Sequence, residues 1–389
     1  MSALKPSITF VVNHAAFFVS HRLPIALGAR QAGFEVTLLT GQAGSASMEK
    51  PAVAALGNAK VPHKRVAFRS SGINPLIELW GLIQLVWHLA RNRPDLVHCA
   101  SPKGLLYGGL AARLCGVNAL VLAVSGMGFA FTSAGQGSML RAFAAKVYRI
   151  LASVAFRHKN IHVIVQNKDD WATLIDNGLA RAEQITLIPG SGVALANFLS
   201  APIEGKQPIV LLPARMLLDK GVVEFVEAAR ALKAVAPSWR FVLAGTADYQ
   251  NPSSVSREQI EAWRAEGIVE WLGHVEDIAP LFAKASIVCL PSYREGMPKS
   301  LLEAAAAGCA VVTTDTTGCR EAIIPGETGD LVPVRDSTAL AAALRSQINN
   351  RDRRERYGHA GRKLAVSRFG VEAVIRQTLM IYREVLKDA

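Results

Sequence analysis

Short apolar, β-branched runs alternate with helical segments along this chain, and the alternation starts afresh near its middle. In the first half Ile8–Val12 precedes a helix predicted from about Ser20 to Ala32, which Gly33 is suited to end, and Glu35–Thr40 follows as a strand. Leu76–Ala90 and Lys103–Cys115 read as helices; Asp95–Cys99, Ala119–Val124, Ile161–Gln166 and Gln184–Ile188 read as strands. From Pro208 the pattern repeats, with strands at Ile209–Pro213, Arg240–Ala244, Ile268–Leu272, Ile287–Leu290, Ala310–Thr314 and Gly329–Val332. Helices fall between them at Val222–Val235, Glu258–Glu266, Ile278–Ala283, Lys299–Ala307 and Thr338–Asn349. Helix-length crossovers return the chain to the same edge, so such strands pair in parallel under helices on both faces.

A chain of 389 residues exceeds one compact core. The reading is therefore α/β: two doubly wound parallel-sheet domains facing across a cleft, with ligands outside the carboxyl ends of the strands. The first domain is placed at residues 1–198, joined by a C-terminal helix at 371–389, and the second at 199–370. The linker falls at Asn197–Gln207, which holds Pro202, Gly205 and Lys206. The last helix, Val371–Lys387, is expected to pack away from the preceding sheet, back on the first domain.

Half of the residues are hydrophobic and 19% are charged, a globular balance. Cys99, Cys115, Cys289, Cys309 and Cys319 form no CxxC pair and no Cys/His cluster, so they read as buried reduced thiols. The net charge of +12 is uneven: residues 1–200 hold 19 Lys/Arg against 8 Asp/Glu, the remainder 24 against 23. No acid occurs between Asp95 and Asp169. Within that gap Leu140, Phe143, Val147, Ile150 and Leu151 share a helical face, with Arg141, Lys146 and Arg149 between them. Such a helix suits an anionic membrane surface or a diphosphate-bearing acceptor; it equally suits an ordinary helix whose apolar side meets the core. Without aromatic–basic interleaving or a nucleic-acid motif, no nucleic-acid partner is expected. Met1–Pro6 opens into a strand with no signal peptide, and the longest apolar stretch, Val117–Phe131, falls short of the ~18–20 residues of a spanning helix. The expected location is cytoplasmic, peripherally at the inner membrane face.

Two segments carry the chemistry. The run ending at Leu290 leads through Pro291-Ser292-Tyr293-Arg294-Glu295-Gly296-Met297-Pro298-Lys299-Ser300 into Leu301-Leu302-Glu303. Pro298 suits a first helical position, and the amides from Gly296 to Ser300 form an anion site. The strand Ile209–Pro213 ends in Arg215-Met216-Leu217-Leu218-Asp219-Lys220-Gly221, which puts two cations in a strand-to-helix loop. Brought to one sheet edge, the loops offer cations and amides to a diphosphate and carboxylates to sugar hydroxyls, as a nucleotide-sugar transferase requires. Arg215 and Lys220 taken alone are ordinary loop charges, and Glu295 alone is a helix cap. Glu303, on an alanine-rich helix, is a costly carboxylate to bury without a partner. No DxD appears, so no metal-diphosphate clamp is indicated. Ser125-Gly126-Met127-Gly128-Phe129 lacks the third glycine and the later acid of a dinucleotide turn.

Arg215-x4-Lys220 and Glu295-x7-Glu303 resemble the donor site of the retaining GT-B glycosyltransferases of family 4, a resemblance that covers essentially the whole chain. Phe18-x-Ser20-His21-Arg22-Leu23-Pro24, Ser101-Pro102-Lys103, Ser125-Gly126-Met127-Gly128-Phe129-x-Phe131 and Gly190-Ser191-Gly192-Val193 resemble bacterial members that act on undecaprenyl-diphosphate-linked saccharides. The resemblance implies a GT-B fold of two Rossmann-like domains and transfer of a sugar, an N-acetylhexosamine, from a UDP-sugar without a cofactor. In it Arg215 and Lys220 neutralise the donor diphosphate, Glu303 accepts the ribose hydroxyls, and Glu295 faces the donor sugar. Gly296, Met297, Pro298, Lys299, Ser300, His274 and Val275 complete the donor site. His14, Ser20, His21, Lys103, Gly126, Met127 and Gly128 fall on the acceptor side. His98 is weighed as an acceptor-site group or a core or rim residue, and Lys103 as a phosphate ligand or a solvated cation. Many members carry a histidine where this chain has Ser125-Gly126-Met127-Gly128. A nucleotide-sugar 2-epimerase of the same fold and a non-catalytic nucleotide-sugar-binding protein are the rival readings.

Overall fold

Two parallel sheets organise the chain. The computed structural model describes residues 5–43, 46–69, 74–126, 139–199, 202–249 and 251–387. The chain divides into two units, Met1–Ser191 with Val374–Ala389, and Gly192–Ala373.

The first unit's sheet comprises β1 (Ser7–Val12), β2 (Glu35–Gln42), β3 (His63–Arg69), β4 (Leu96–Ala100), β5 (Ala119–Val124), β6 (Ile161–Val165) and β7 (Ile185–Leu187). They pair in parallel in the order β3-β2-β1-β4-β5-β6-β7. Its helices are α1 (Ala15–His21), α2 (Leu23–Gln31), α3 (Ala46–Asn58), α4 (Pro75–Asn92), α5 (Gly109–Leu114), α6 (Met139–Phe156) and α7 (Lys168–Asp176). A π-helical turn at Gly104–Gly108 leads into α5. Side chains alternate across the sheet: Val11, Val97 and Cys99 join one buried cluster, and Ile8, Phe10 and Val12 the other. Both faces are covered, so these strands read as continuous apolar runs.

The second sheet holds β8 (Gln207–Pro213), β9 (Arg240–Ala244), β10 (Glu270–Trp271), β11 (Ala285–Leu290), β12 (Ala310–Thr314) and β13 (Gly329–Val332). Its parallel order is β10-β9-β8-β11-β12-β13. Around it lie α8 (Val222–Lys233), α9 (Arg257–Ala265), α10 (Ala279–Lys284), α11 (Lys299–Ala306), α12 (Ser337–Ile348) and α13 (Arg351–Leu364). The final helix, α14 (Val371–Lys387), passes from the second unit into the first, where Val374, Ile381, Tyr382 and Val385 join the core beside Phe10 and Val12.

Each sheet reverses its winding once, between β1 and β4 and between β8 and β11. The loops leaving those four strands border the two crevices such a sheet offers to ligands.

Some expectations are corrected. The predicted helix at 20–32 is two helices, because Arg22 leaves helical geometry at φ −130° and Pro24 opens the second. The elements α3, β3, α7 and α13 were not read from the sequence. β3 is an edge strand with exposed Lys64, Arg65 and Arg69, a composition that keeps sheet edges from pairing. α6 forms as a helix. Leu151, Ala152, Ala155 and Phe156 pack on the core, while Lys146, Arg149 and Ile150 are exposed. His98 is not a rim residue: it lies within β4, fully buried, with Nδ1 2.8 Å from the Tyr382 hydroxyl. No helix among the described residues is long and apolar enough to cross a membrane. Cys99, Cys289, Cys309 and Cys319 are buried free thiols, and Cys115 is half-buried.

Burial holds His98 well below the ordinary imidazole value of 6.5, and the Arg22 guanidinium adds to it. Burial lowers His63, His88, His158 and His162 as well, and all five lie in the first unit. Unfolding frees these rings to bind protons that the folded unit refuses, so their contribution is present above pH 6.5 and lost as pH falls through it. Differential scanning calorimetry is expected to show the first unit losing thermal midpoint on mild acidification ahead of the second; a first unit insensitive to that change would contradict the assignment.

Candidate active site

At the crevice between β8 and β11 the structure joins two of the charged residues that the sequence singles out, Lys220 and Glu295. Beyond β8 the chain makes a 3₁₀ turn at Leu218–Lys220 and reaches Gly221 at φ 69°, a left-handed conformation. A Cβ on Gly221 would lie 2.1 Å from the Pro291 carbonyl oxygen, so glycine alone lets the two loops touch. The backbone joins them again where the Tyr293 amide donates to the Asp219 carbonyl at 2.9 Å. This contact places the Lys220 ammonium on Glu295 Oε1, although the two residues are 75 positions apart. The Ser292 hydroxyl donates to the same oxygen at 2.7 Å. Both side chains of the ion pair are mostly buried.

Glu295 therefore faces a lysine across the crevice instead of capping the helix that follows. Its loop is braced from the neighbouring strand. Thr314 of β12 donates to the Ser292 carbonyl, Thr316 donates to the Tyr293 carbonyl at 2.9 Å, and the Glu295 amide donates to the Thr317 carbonyl at 3.0 Å. The Tyr293 hydroxyl donates to Glu224 at 2.6 Å and the Arg335 guanidinium lies 4.6 Å from its ring. Burial and that carboxylate push the Tyr293 phenol up to about 12.

Glu303 shares the half-buried face of α11 with Ser300 and with Lys299, one turn earlier at 3.5 Å. Burial raises its carboxyl above the ordinary 4.5, and Lys299 opposes the shift. Pro298 stands one residue before α11 as its N-cap and supplies no side-chain cap; the sequence reading had placed it first in the helix. Met297 and Pro298 are buried, and Gly296, Lys299 and Ser300 are half-buried. Arg215 is more open, with Nη1 3.3 Å from Asp248 of the loop after β9. A pair this exposed contributes at most about 1 kcal/mol.

His274 is exposed in the loop after β10, two strands from β8. The connection is through backbone: the Gly245 amide donates to the Gly273 carbonyl at 2.8 Å. Val275 packs on the core beneath.

In the first unit, the loops after β1 and β4 are tied by Asn13. Its side-chain oxygen accepts from the amides of Lys103 and Gly104 at 3.0 and 3.1 Å, and its own amide donates to the Ser101 hydroxyl at 2.8 Å. Ser101 adopts φ 68°, strained for a residue with a side chain. His14 begins α1 and accepts from the Phe17 amide at 3.2 Å; His21 ends it, stacked 4.7 Å from the Phe17 ring. Ser20 is exposed. Lys103 is not a solvated cation, because its ammonium lies 2.7 Å from the buried Glu78 of α4. Gly126 follows β5 at φ 120°. Met127 and Gly128 lie outside the described residues.

Sequence reasoning missed Ser292, Thr314, Thr316 and Asp248, which hold the charged groups in place. The run Thr313-Thr314-Asp315-Thr316-Thr317, which ends β12 and continues past it, was the available signal.

Comparison with known proteins accords with this geometry. The family described as "Glycosyl transferases group 1" matches residues 196–364, and the "Glycosyl transferase 4-like domain" matches residues 21–190. The N,N'-diacetylbacillosaminyl-diphospho-undecaprenol alpha-1,3-N-acetylgalactosaminyltransferase of Campylobacter jejuni is 34% identical over 270 residues, 66% of this chain and 68% of that protein. Among solved structures, sucrose-phosphate synthase from Thermosynechococcus elongatus has a TM-score of 0.78 at 21% identity, covering 99% of this chain and 100% of that one. HepE of Anabaena, in complex with UDP and glucose, has a TM-score of 0.76 at 20% identity, covering 97% and 99%. With both sheets wound as in those structures and both halves matched, the chain belongs to the group 1 glycosyl transferases, the family 4 glycosyltransferases of GT-B fold.

Proposed function

We propose that this glycosyltransferase moves an N-acetylhexosamine, with retention, from a UDP-sugar to a saccharide carried on undecaprenyl diphosphate. The Lys220–Glu295 pair at the switch point of the second sheet carries the reading, because it sets a cation suited to a phosphate beside an acid suited to sugar hydroxyls. Support for the nucleotide comes from HepE, whose complex holds UDP and glucose. Support for the acceptor and sugar comes from the Campylobacter relative, named for an undecaprenol-diphosphate-linked substrate and an N-acetylgalactosaminyl group.

In this reading Arg215 and Lys220 neutralise the donor diphosphate. Arg215 leaves the weak Asp248 pair for a stronger anion and grips two oxygens with its planar fork, while Lys220 acts as a point charge. The bond from the anomeric carbon to the phosphate oxygen breaks, an acceptor hydroxyl bonds to that carbon on the same face, and its proton passes to the departing phosphate oxygen. Negative charge grows on the diphosphate along this path, so the two cations stabilise the transition state more than the bound donor. Glu295 steadies positive charge on the sugar ring. Glu303 accepts the ribose hydroxyls, which give its buried carboxylate the polar partners burial demands. Gly296, Met297, Pro298, Lys299 and Ser300 border the phosphates and sugar, and the backbone at His274 and Val275 runs near the base. His14, Ser20, His21, Lys103, Gly126, Met127 and Gly128 serve the acceptor. The cation pair supplies the charge that a metal would bring, so turnover is independent of added metal.

Lys220→Ala and Glu303→Ala are each expected to lower kcat/KM by roughly 10²–10³-fold while the melting transition of the second unit persists. Transfer of labelled sugar to a lipid-diphosphate saccharide measures this, and near-wild-type turnover in either variant contradicts the assignment. Free ManNAc from UDP-GlcNAc without acceptor would identify the epimerase instead. Gly221→Ala is expected to part the two loops, costing about 1–3 kcal/mol of stability and raising the donor KM. Calorimetry and donor titration check both effects; an unchanged KM would mean that the loop contact does not shape the donor site.

A further inference from the structure

We propose that the outer face of α4 is a membrane-docking surface that seats the first unit on an anionic phospholipid bilayer. The inference rests on the reading that the acceptor is lipid-linked. The inner face of α4 is spent on the core, through Gly81, Leu85 and Leu89. On the opposite side Leu76, Leu79, Trp80, Ile83 and Trp87 recur at steps of three or four residues, which aligns them along one stripe. Leu76 is 78% exposed and both tryptophans 55%. A helix that is apolar on both sides is a buried element, and here the structure supplies no cover for the outer side among the described residues.

Charge selects the occupant. The one acid on α4, Glu78, points inward to Lys103 and is buried, so the outer stripe carries no negative charge. Exposed cations flank it: Arg91 and Arg93 at the end of the helix, and Lys64 on the side of β3 that packs against α4, where its charge reaches His88. The Arg91 guanidinium lies 5.7 Å from the Trp87 ring, a pairing that suits a side chain with its body in acyl chains and its charge at headgroups. Leucine, isoleucine and two indoles enter the interfacial layer, where tryptophan is favoured, and the cations meet anionic headgroups. A second copy of the chain would bring the same cations face to face, which disfavours self-association. On the same side of the sheet α5 packs against both α4 and α6, and α6 exposes Ile150 beside Lys146 and Arg149.

Cosedimentation of the full-length enzyme with phosphatidylcholine vesicles, with and without phosphatidylglycerol, tests the proposal. The enzyme is expected to bind the anionic vesicles more tightly, with tryptophan emission shifted to the blue and binding weakened by salt. The triple variant Trp80→Ser, Ile83→Ser, Trp87→Ser is expected to lose about tenfold or more in partitioning. Its melting point and its turnover on a water-soluble acceptor with a shortened lipid should match wild type. Unchanged partitioning overturns the proposal. So does a wild-type dimer in solution that the triple variant converts to monomer, because a second copy would then cover the face. Vesicle binding that depends on the stripe in a protein without transferase activity would leave docking standing and remove the acceptor reading.

Discussion

Everything in the second unit's crevice depends on the approach of two backbone segments, the Gly221 turn and the Pro291 carbonyl. Their contact is what brings Lys220 and Glu295 together across 75 positions of sequence. A partly buried ion pair of this kind gains from the low local dielectric only if its remaining lone pairs are satisfied. Ser292 does this for Glu295, and the threonines at and after the end of β12 hold the loop that carries both. The charges thus rest on neutral hydroxyls and on one glycine conformation. Arg215, itself exposed and paired at 3.3 Å with a half-buried aspartate, is the adaptable member of the set.

Fully buried strands were the most legible part of the fold. Ala119–Val124 and Ala310–Thr314 match their sequence boundaries, because a strand covered on both faces shows a continuous buried run; Arg240–Ala244 and the edge strand Gly329–Val332 match on shorter apolar runs. The edge strand β3 and the charged helix α13 escaped notice for the converse reason: neither presents a continuous apolar signal. The joint at Arg22 was also missed, although Pro24, which cannot sit inside a helix begun at Ser20 without losing a backbone bond, was the available signal. In the site, the cations and carboxylates were legible as residue types at fixed spacing. Their pairing was not, because it follows from strand order and from which loop touches which. His98 shows the same limit: lying between Val97 and Cys99, it points to the opposite sheet face and finds Tyr382 on a helix 284 positions away.

The helix α4 marks a different boundary. Its period was read correctly, but a helix apolar on two sides gives no clue from sequence as to which side meets the core. Glu78 settles the matter in the structure, since a buried carboxylate must face its lysine and so turns the Leu85 side inward. The outer stripe is then a consequence of where one ion pair lies.

The two switch points solve one geometric problem with opposite chemistry. At β1 and β4 the loops are joined by the neutral side chain of Asn13, which accepts two backbone amides, and by a serine held in a left-handed conformation. At β8 and β11 the join is an ion pair with a braced acid. A neutral amide tie fixes loop positions without creating a field, and leaves recognition there to whatever side chains border it. A charged tie fixes position and also presents a cation that a diphosphate can claim, at the cost of an acid that must then face another partner. In the proposed reading that acid faces the sugar carried by the same diphosphate. The ties at the two switch points therefore differ in charge, an ion pair at one and an amide at the other, although the strands beneath are wound alike.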